Sequence, residues 1–440
     1  AFQEYDQLSM AKPVTRWAGR VNHTDRLPEY FNMARRKAIS GKPGPTYLDL
    51  PGDVLYGRVD QSSVWFPPGG KGISRPYPGD EEIKEAISIL KKAERPVVIA
   101  GSGVFWSDAG EQLRQFVEST QIPFFTTPQS RGIIPEDHDL AYLGARGQAF
   151  RDADVIVVVG TRFNFIISFG HAPRFAPDVK VIHIDIDATE LGHNRPVDVA
   201  IAADARVALS KLTTAAEEAG ITTSDSWRAQ LAELDDRKRE QSRMMAESDQ
   251  SPIHPLRVAE EIVNFVDRDA IISVDGMETL NFGRQWIPSF VEGARLNSGP
   301  NGCMGVGIPF AMGAQVAAPG RQVVAFVGDG SFFMNIQEFD TMVRHNLPVI
   351  AVVSNNGGWT GGENTTPGRS LGFNQQYHKV VEAIGGYGEL VTDPNDLPGA
   401  LERAAESGKP ACINVHVEEH ARATTVAFGG YSTMMSRSDA

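Results

Sequence analysis

The chain has 440 residues, enough for two to four domains at roughly 100–200 residues each. Hydrophobic residues make up 41% and charged residues 22%, a globular balance that excludes a disordered chain. Lys plus Arg number 42 against 55 Asp plus Glu, a net charge of −13, which argues against nucleic acid as a partner because that affinity comes from clustered cations. Only Cys303 and Cys412 occur, far apart, so a disulfide framework is not expected and a reducing cytoplasm is. No apolar run approaches the ~18 residues of a membrane span, so no membrane partner is expected.

The start, Ala1-Phe2-Gln3-Glu4, has no initiator Met and no leader pattern, and it reads as the interior of a domain. A segment is therefore expected upstream. Residues 1–62 hold a helical pattern over 27–39, then Gly41-Lys42-Pro43-Gly44, then a short strand at 46–50. Residues 63–80 are rich in Pro and Gly and read as an exposed linker. Over 81–212, helices alternate with apolar, β-branched runs at 96–100, 155–159 and 181–185. Continuous apolar runs suit strands buried on both faces, so the pattern predicts an α/β domain with a parallel sheet. Residues 213–252 are polar and charged and read as a helical, solvated connector. The alternation resumes over 253–420, with runs at 270–274, 323–327, 349–354 and 412–417. Residues 421–440 are small, polar and Gly-rich, the composition of a mobile tail.

The strongest signal lies in the last α/β stretch. The run 323–327 leads into Gly328-Asp329-Gly330-Ser331, then a helical stretch to about His345, then the run 349–354 and Asn355-Asn356-Gly357-Gly358. This is one βαβ unit. Asp329 and Asn356, 27 positions apart, each fall just past the carboxyl end of a strand. A right-handed crossover makes those strands parallel neighbours and brings both residues to the ligand-binding end of the sheet. A carboxylate, an amide oxygen and a backbone carbonyl are hard oxygen ligands suited to Mg²⁺ or Ca²⁺, and Mg²⁺ completes its shell with phosphate oxygens. Gly328 and Gly330 allow close approach of an anion, and Ser331 opens a helix whose free N–H groups favour phosphate. The unit reads as a site for Mg²⁺ plus a diphosphate.

Gly328-Asp329-Gly330, the 24 residues from Ser331 to Ser354, and Asn355-Asn356 resemble the thiamine-diphosphate motif. The whole chain resembles the acetohydroxyacid-synthase-like branch of those enzymes. The domain order there is pyrimidine-binding, central, then diphosphate-binding, all α/β with mainly parallel sheets. Residues 1–62 resemble the second half of the pyrimidine-binding domain. The stretches 273–284 and 355–362 resemble the oxalyl-CoA decarboxylase and 2-hydroxyacyl-CoA lyase subgroup. The resemblance therefore implies thiamine diphosphate, Mg²⁺ and a coenzyme A thioester substrate. The implied reaction is cleavage of a 2-hydroxyacyl-CoA to formyl-CoA and an aldehyde or ketone. Oxalyl-CoA decarboxylase and an acetohydroxyacid-synthase-like carboligase stand as alternatives.

Carried onto this sequence, the resemblance implies Asp329, Asn356 and Gly358 at the metal and Gly328, Gly330 and Ser331 at the diphosphate. Met304 would prop the cofactor, Gly276 would lend a carbonyl to its aminopyrimidine, and Trp359 would narrow the pocket. Phe2 and Gln3 would stand near the reacting carbon. Glu278 replaces a neutral polar residue of the relatives and is expected to move protons from a partly buried cleft. Arg146 and Arg284 would meet the nucleotide of coenzyme A, with Tyr431 in the tail closing over it. The central domain resembles one that holds FAD in the synthases and ADP in the coenzyme A enzymes. Arg162 and Asp185 match its nucleotide-contacting positions and allow ADP, although Ser102 stands where the coenzyme A subgroup carries Lys. The activating glutamate of the family has no counterpart here and is expected in a segment upstream of Ala1 or on another chain. Family practice implies a homodimer or homotetramer.

Overall fold

The computed structural model describes residues 5–68, 74–359 and 368–424. Phe2, Gln3 and Tyr431 lie outside them.

Three parallel sheets occupy three successive stretches of chain. In the first, β1 (Trp17–Arg20) pairs with β2 (Thr46–Asp49), and the helix Leu27–Ile39 connects them. The second sheet contains β3 (Pro96–Ala100), β4 (Phe124–Thr126), β5 (Val155–Val159), β6 (Lys180–Asp185) and β7 (Val199–Ala202), in the order β4-β3-β5-β6-β7. β3, β4 and β5 are buried on both faces, which is why their apolar runs are continuous, while β7 at the edge alternates buried and exposed residues. Val98, Val157 and Ile182 pack under the helices Asp80–Leu90, Gly110–Thr120 and Ala205–Glu218. Val97, Ile99 and Val158 face the helix Arg146–Asp152, with Phe150, Trp227 and Leu231.

The helix Asp225–Ala246 is more than the solvated connector its composition predicts. Trp227 and Leu231 are buried in the core of the second sheet, and Trp227 Nε1 donates to the Pro96 carbonyl at 3.2 Å. The buried Asp235 accepts the Gly144 N–H, and Lys238 Nζ donates to the Gly144 carbonyl at 2.9 Å. The charged residues that dominate the composition occupy the opposite, solvated side of the helix, where they hide its two anchors.

The third sheet contains β8 (Ile271–Asp275), β9 (Arg295–Leu296), β10 (Val323–Gly328), β11 (Ile350–Asn355), β12 (Tyr387–Val391) and β13 (Ala411–His416). Its order is β12-β13-β11-β10-β8-β9, all parallel. After β8 the chain enters the helix Glu278–Trp286, whose Phe282 packs on one face of the sheet. After β10 it enters the helix Asp329–Met334, whose Phe332 packs on the other. Departure to opposite faces opens a crevice at the carboxyl ends of β8 and β10. The expected single helix from Ser331 to His345 is two, Asp329–Met334 and Glu338–His345. Asn335 leaves helical geometry between them and turns its side chain to the Gly305 carbonyl, Nδ2 to O 2.6 Å. Gly328 occupies the N-cap position, so Ser331 is the third residue of its helix rather than the opener.

Replacing Trp227 by Ala should destabilise the protein by about 3–5 kcal/mol, the usual cost of truncating a buried aromatic. The urea midpoint of unfolding measures it, and a shift under about 0.5 kcal/mol would return the helix to the role of a solvated connector.

Candidate active site

β8, β10 and β11 end level with one another, Asp275 beside Val327 and Gly328 beside Ser354. Gly276, Asp329 and Asn356 therefore emerge side by side from three adjacent strands about 4.8 Å apart. Asp329 is buried. The N–H groups of Gly330, Gly357 and Gly358 all act on its carboxylate, so the loop after β11 folds onto the residue after β10. Oδ1 accepts the Gly330 N–H at 2.9 Å, while the buried Oδ2 has no partner among the described residues. Burial pushes this carboxyl up from 3.8 to about 6, and the surrounding N–H groups hold it from going higher. Asn356 Oδ1 accepts the Gly358 N–H at 3.4 Å, and Gly358 bridges to Ser370 across the loop. Asn355 is fully buried and spends its amide on Asn414, Nδ2 to Oδ1 3.1 Å, and on the Gly357 N–H. Of the two consecutive asparagines, the first therefore builds the loop and the second faces the site.

Gly276 has φ +101°, and a Cβ there would stand 3.3 Å from the Gly328 nitrogen, so this position requires glycine. Ser331 is buried with its hydroxyl unpartnered among the described residues, 3.6 Å from that same Cβ position. At Gly330 a Cβ would lie 2.7 Å from the Trp359 ring, so the indole rests directly on the backbone after Asp329. Met304 is 37% exposed, on a loop held by two bonds just after it. Gly305 takes the Asn335 bond, and the Gly307 N–H donates to Asp275 Oδ2 at 2.9 Å. Asp275 also takes the Gly276 N–H, at 2.6 Å, and so aligns the Met304 loop with the end of β8. Sequence reasoning missed Asp275; its one signal is a carboxylate closing an otherwise apolar strand.

Residues 83–212 match the family described as "Thiamine pyrophosphate enzyme, central domain", and residues 282–415 match "Thiamine pyrophosphate enzyme, C-terminal TPP binding domain". The chain is 32% identical to the 2-hydroxyacyl-CoA lyase of Arabidopsis thaliana, over 96% of its own length and 78% of the relative's. It is 34% identical to the acetolactate synthase large subunit of Mycobacterium tuberculosis, over 94% and 76%. It is 32% identical to the oxalyl-CoA decarboxylase of Escherichia coli K12, over 95% and 76%. The chain belongs to the thiamine pyrophosphate enzyme family. Thiamine pyrophosphate, or thiamine diphosphate, is the cofactor of the domain that holds Asp329 and Asn356.

The residues present suit a diphosphate bound through a hard cation. Among the described residues no group of three or more His, Cys, Asp or Glu could hold a metal. The set expected from the sequence, the Asp329 carboxylate, the Asn356 amide and the Gly358 carbonyl, would leave positions open for phosphate oxygens. The unpartnered Asp329 Oδ2 and Ser331 hydroxyl are the groups such a ligand would satisfy.

A cavity of about 1150 Å³ lies where the central and C-terminal stretches meet, bounded by Arg146, Arg174, Lys238, Arg284 and Thr424. Eight Arg or Lys line it against three Asp or Glu, in a chain whose net charge is −13. Arg146 and Arg284 come together here as expected, although they are 138 positions apart. Burial, and then Arg174, Arg284 and Arg131, pull the Arg146 guanidinium down to about 9; burial and Arg131 pull Arg284 to about 10. Both remain charged at neutral pH. Arg131, missed in the sequence, pairs with the buried Glu136, Nε to Oε1 2.6 Å, and donates to the Ile287 carbonyl at 2.9 Å. Glu136 Oε2 also accepts the Ser289 N–H at 2.8 Å, so this pair ties the central stretch to the C-terminal one beside the cavity.

Glu278 opens the helix after Gly276, and its Oε2 is 3.5 Å from the Ala423 N–H. Ala421 and Ala423 are buried, and the Thr424 N–H donates to Gln285 at 3.0 Å, so the first residues of the expected tail are docked on this helix. Arg162 and Asp185 stand elsewhere, at the carboxyl ends of β5 and β6. Arg162 lies 3.8 Å from Glu190, which also takes the Lys42 ammonium, and Asp185 caps the Asp187 N–H at 2.9 Å. Carboxylates whose cations are already paired make a poor diphosphate seat, which argues against ADP at this edge. The glycines of Gly101-Ser102-Gly103 serve packing instead, because a Cβ on Gly103 would lie 2.5 Å from the Gly160 Cα.

The position of Asp329 sets a pH dependence in the cofactor-free protein. A folded carboxyl raised to about 6 leaves stability intact below its ordinary 3.8 and removes it as pH rises through about 6. The full loss is roughly 3 kcal/mol. Asp329→Asn should abolish that component, so its stability relative to the parent should rise by this amount between about pH 4 and 7 in paired urea titrations. A difference that stays flat over that window would show a solvated carboxylate.

Proposed function

We propose that this enzyme is a carbon–carbon lyase that cleaves 2-hydroxyacyl-CoA thioesters to formyl-CoA and an aldehyde or ketone. The observation that carries the reading is the helix Glu278–Trp286. It starts two residues after Gly276, at the cofactor end of β8, and its last turn places Arg284 in the cationic cavity. Glu278 and Arg284 are six residues apart, a rise of about 9 Å. One rigid element thus spans from the cofactor to a cavity fit for a polyanion. A thioester with a nucleotide handle uses both ends, whereas pyruvate, a three-carbon acid, has no use for the second. The two relatives named for coenzyme A thioesters support the same choice.

In this reading Asp329, Asn356 and the Gly358 carbonyl hold Mg²⁺. Ser331 and the first turn of its helix meet the diphosphate. Gly276 would offer its carbonyl to the aminopyrimidine, Met304 would support the thiazolium, and Trp359 would wall the pocket. Thiamine diphosphate, when bound, supplies the electron sink that carbon–carbon cleavage needs. Glu278 carries a proton at the substrate hydroxyl, and Arg284 and Arg146 hold the nucleotide. A homodimer or homotetramer is the matching assembly.

The test is turnover by the full-length protein with thiamine diphosphate and Mg²⁺. A 2-hydroxyacyl-CoA should yield formyl-CoA and a carbonyl product. Arg284→Ala should raise KM for the thioester tenfold or more, as a lost charge-assisted contact of about 1.5–3 kcal/mol requires, with cofactor affinity retained. Release of CO₂ from oxalyl-CoA in preference to this cleavage would make the enzyme the decarboxylase. Turnover of pyruvate without any thioester would remove the coenzyme A reading.

A further inference from the structure

The cavity holds more unmatched positive charge than Arg146 and Arg284 account for, and the excess is concentrated at Phe150. The Arg146 guanidinium carbon lies 5.3 Å from the centre of that ring and the Arg174 carbon 5.8 Å. The ring is fixed from behind by Phe175, stacked at 5.0 Å and 16°. Arg146 and Phe150 are one helical turn apart, and Arg174 immediately precedes Phe175. Two aromatic residues therefore set the spacing of two guanidiniums. A ring face attracts a cation but accepts no N–H in a strong bond. Arg146 Nε and Nη2 and Arg174 Nε are buried without a hydrogen-bond partner among the described residues. Glu136, the acid that acts on Arg146, already receives Arg131 and the Ser289 N–H. Arg151 stands close enough to repel Arg174 further.

Such a pair lacks a compact anion with more than one charge. A phosphate diester within a chain brings one charge and two free oxygens. A terminal phosphate monoester brings nearly two charges and three oxygens, enough to take N–H groups from both guanidiniums at once.

We propose that Arg174, together with Arg146 on the Phe150 ring, forms a seat for a terminal phosphate monoester of a nucleotide. Resting on the thioester reading above, that group is the 3′-phosphate of coenzyme A, and Arg174 is the residue that selects for it. The cavity is large enough for the attached nucleotide to extend toward Arg284.

Calorimetry on the holoenzyme tests this without turnover, using adenosine 3′,5′-bisphosphate, adenosine 5′-monophosphate and ADP as probes. The bisphosphate should bind at least tenfold more tightly than the monophosphate. Arg174→Gln should erase that preference, and Arg174→Lys should restore part of it. ADP binding that equals the bisphosphate and is equally lost in Arg174→Gln keeps the seat and assigns it to a terminal diphosphate instead. In kinetics, the parent enzyme should favour the coenzyme A thioester over its 3′-dephospho form by tenfold or more in KM. No discrimination by the parent enzyme, in binding or in KM, overturns the seat even if Arg174→Gln fails to fold. Bisphosphate binding with no turnover of any thioester would overturn the lyase reading and leave the seat standing.

Discussion

The carboxylate of Asp329 is buried and held by backbone N–H groups, and the arrangement around it follows from that constraint. A buried, uncompensated charge is among the most expensive things a fold can hold. The carboxylate is tolerated because backbone N–H groups from two loops converge on it and because its proton can stay on to about pH 6. Three of those N–H groups belong to Gly330, Gly357 and Gly358, where a side chain would meet the Trp359 ring, the Phe373 ring or the Arg369 carbonyl. The register of β8, β10 and β11 then dictates what else can be near: Gly276 with its positive φ, Ser331 with an idle hydroxyl, and the Met304 loop fastened through Asp275. The site is a buried carboxylate with one oxygen unpartnered among the described residues, at the strand ends of the thiamine pyrophosphate binding domain.

The cavity beside it presents the opposite imbalance. Here guanidiniums are buried with idle N–H groups and too few acids. Arginine tolerates this where lysine would shed its proton. The two imbalances lie at opposite ends of one nine-residue helix, Glu278–Trp286. Neither end is stabilising by itself, so both read as places prepared for ligand rather than for folding strength. The folding strength comes from elsewhere, from strands buried on both faces and from helices such as Asp225–Ala246 that dock through two or three apolar anchors.

Much of this was legible in the residues. The strands at 96–100 and 155–159 coincide with the apolar runs, and β10 and β11 are parallel neighbours, as the spacing of Asp329 and Asn356 demands. Continuous β-branched runs advertise a doubly buried strand whatever surrounds them. The helices with one apolar stripe were harder, because at Asp225–Ala246 two anchors are outvoted in composition by the charges on the wet side. The helix after Ser331 breaks at Asn335 because of a bond to Gly305, a contact 30 positions away that no local propensity encodes.

The sequence by itself determined the parallel α/β class and the thiamine diphosphate motif, because continuous apolar runs mark doubly buried strands and the motif lies within one βαβ unit. Local spacing plus the handedness of the crossover is enough to bring its residues together. Tertiary structure alone decided the charge balance of the second site. Arg131, Arg146, Arg174 and Arg284 come from four separate segments, and a composition count dissolves them into a net charge of −13. Whether an arginine is a solvated surface residue or a buried donor depends on what packs over it, and for Arg174 that is Phe150, supplied by the helix Arg146–Asp152.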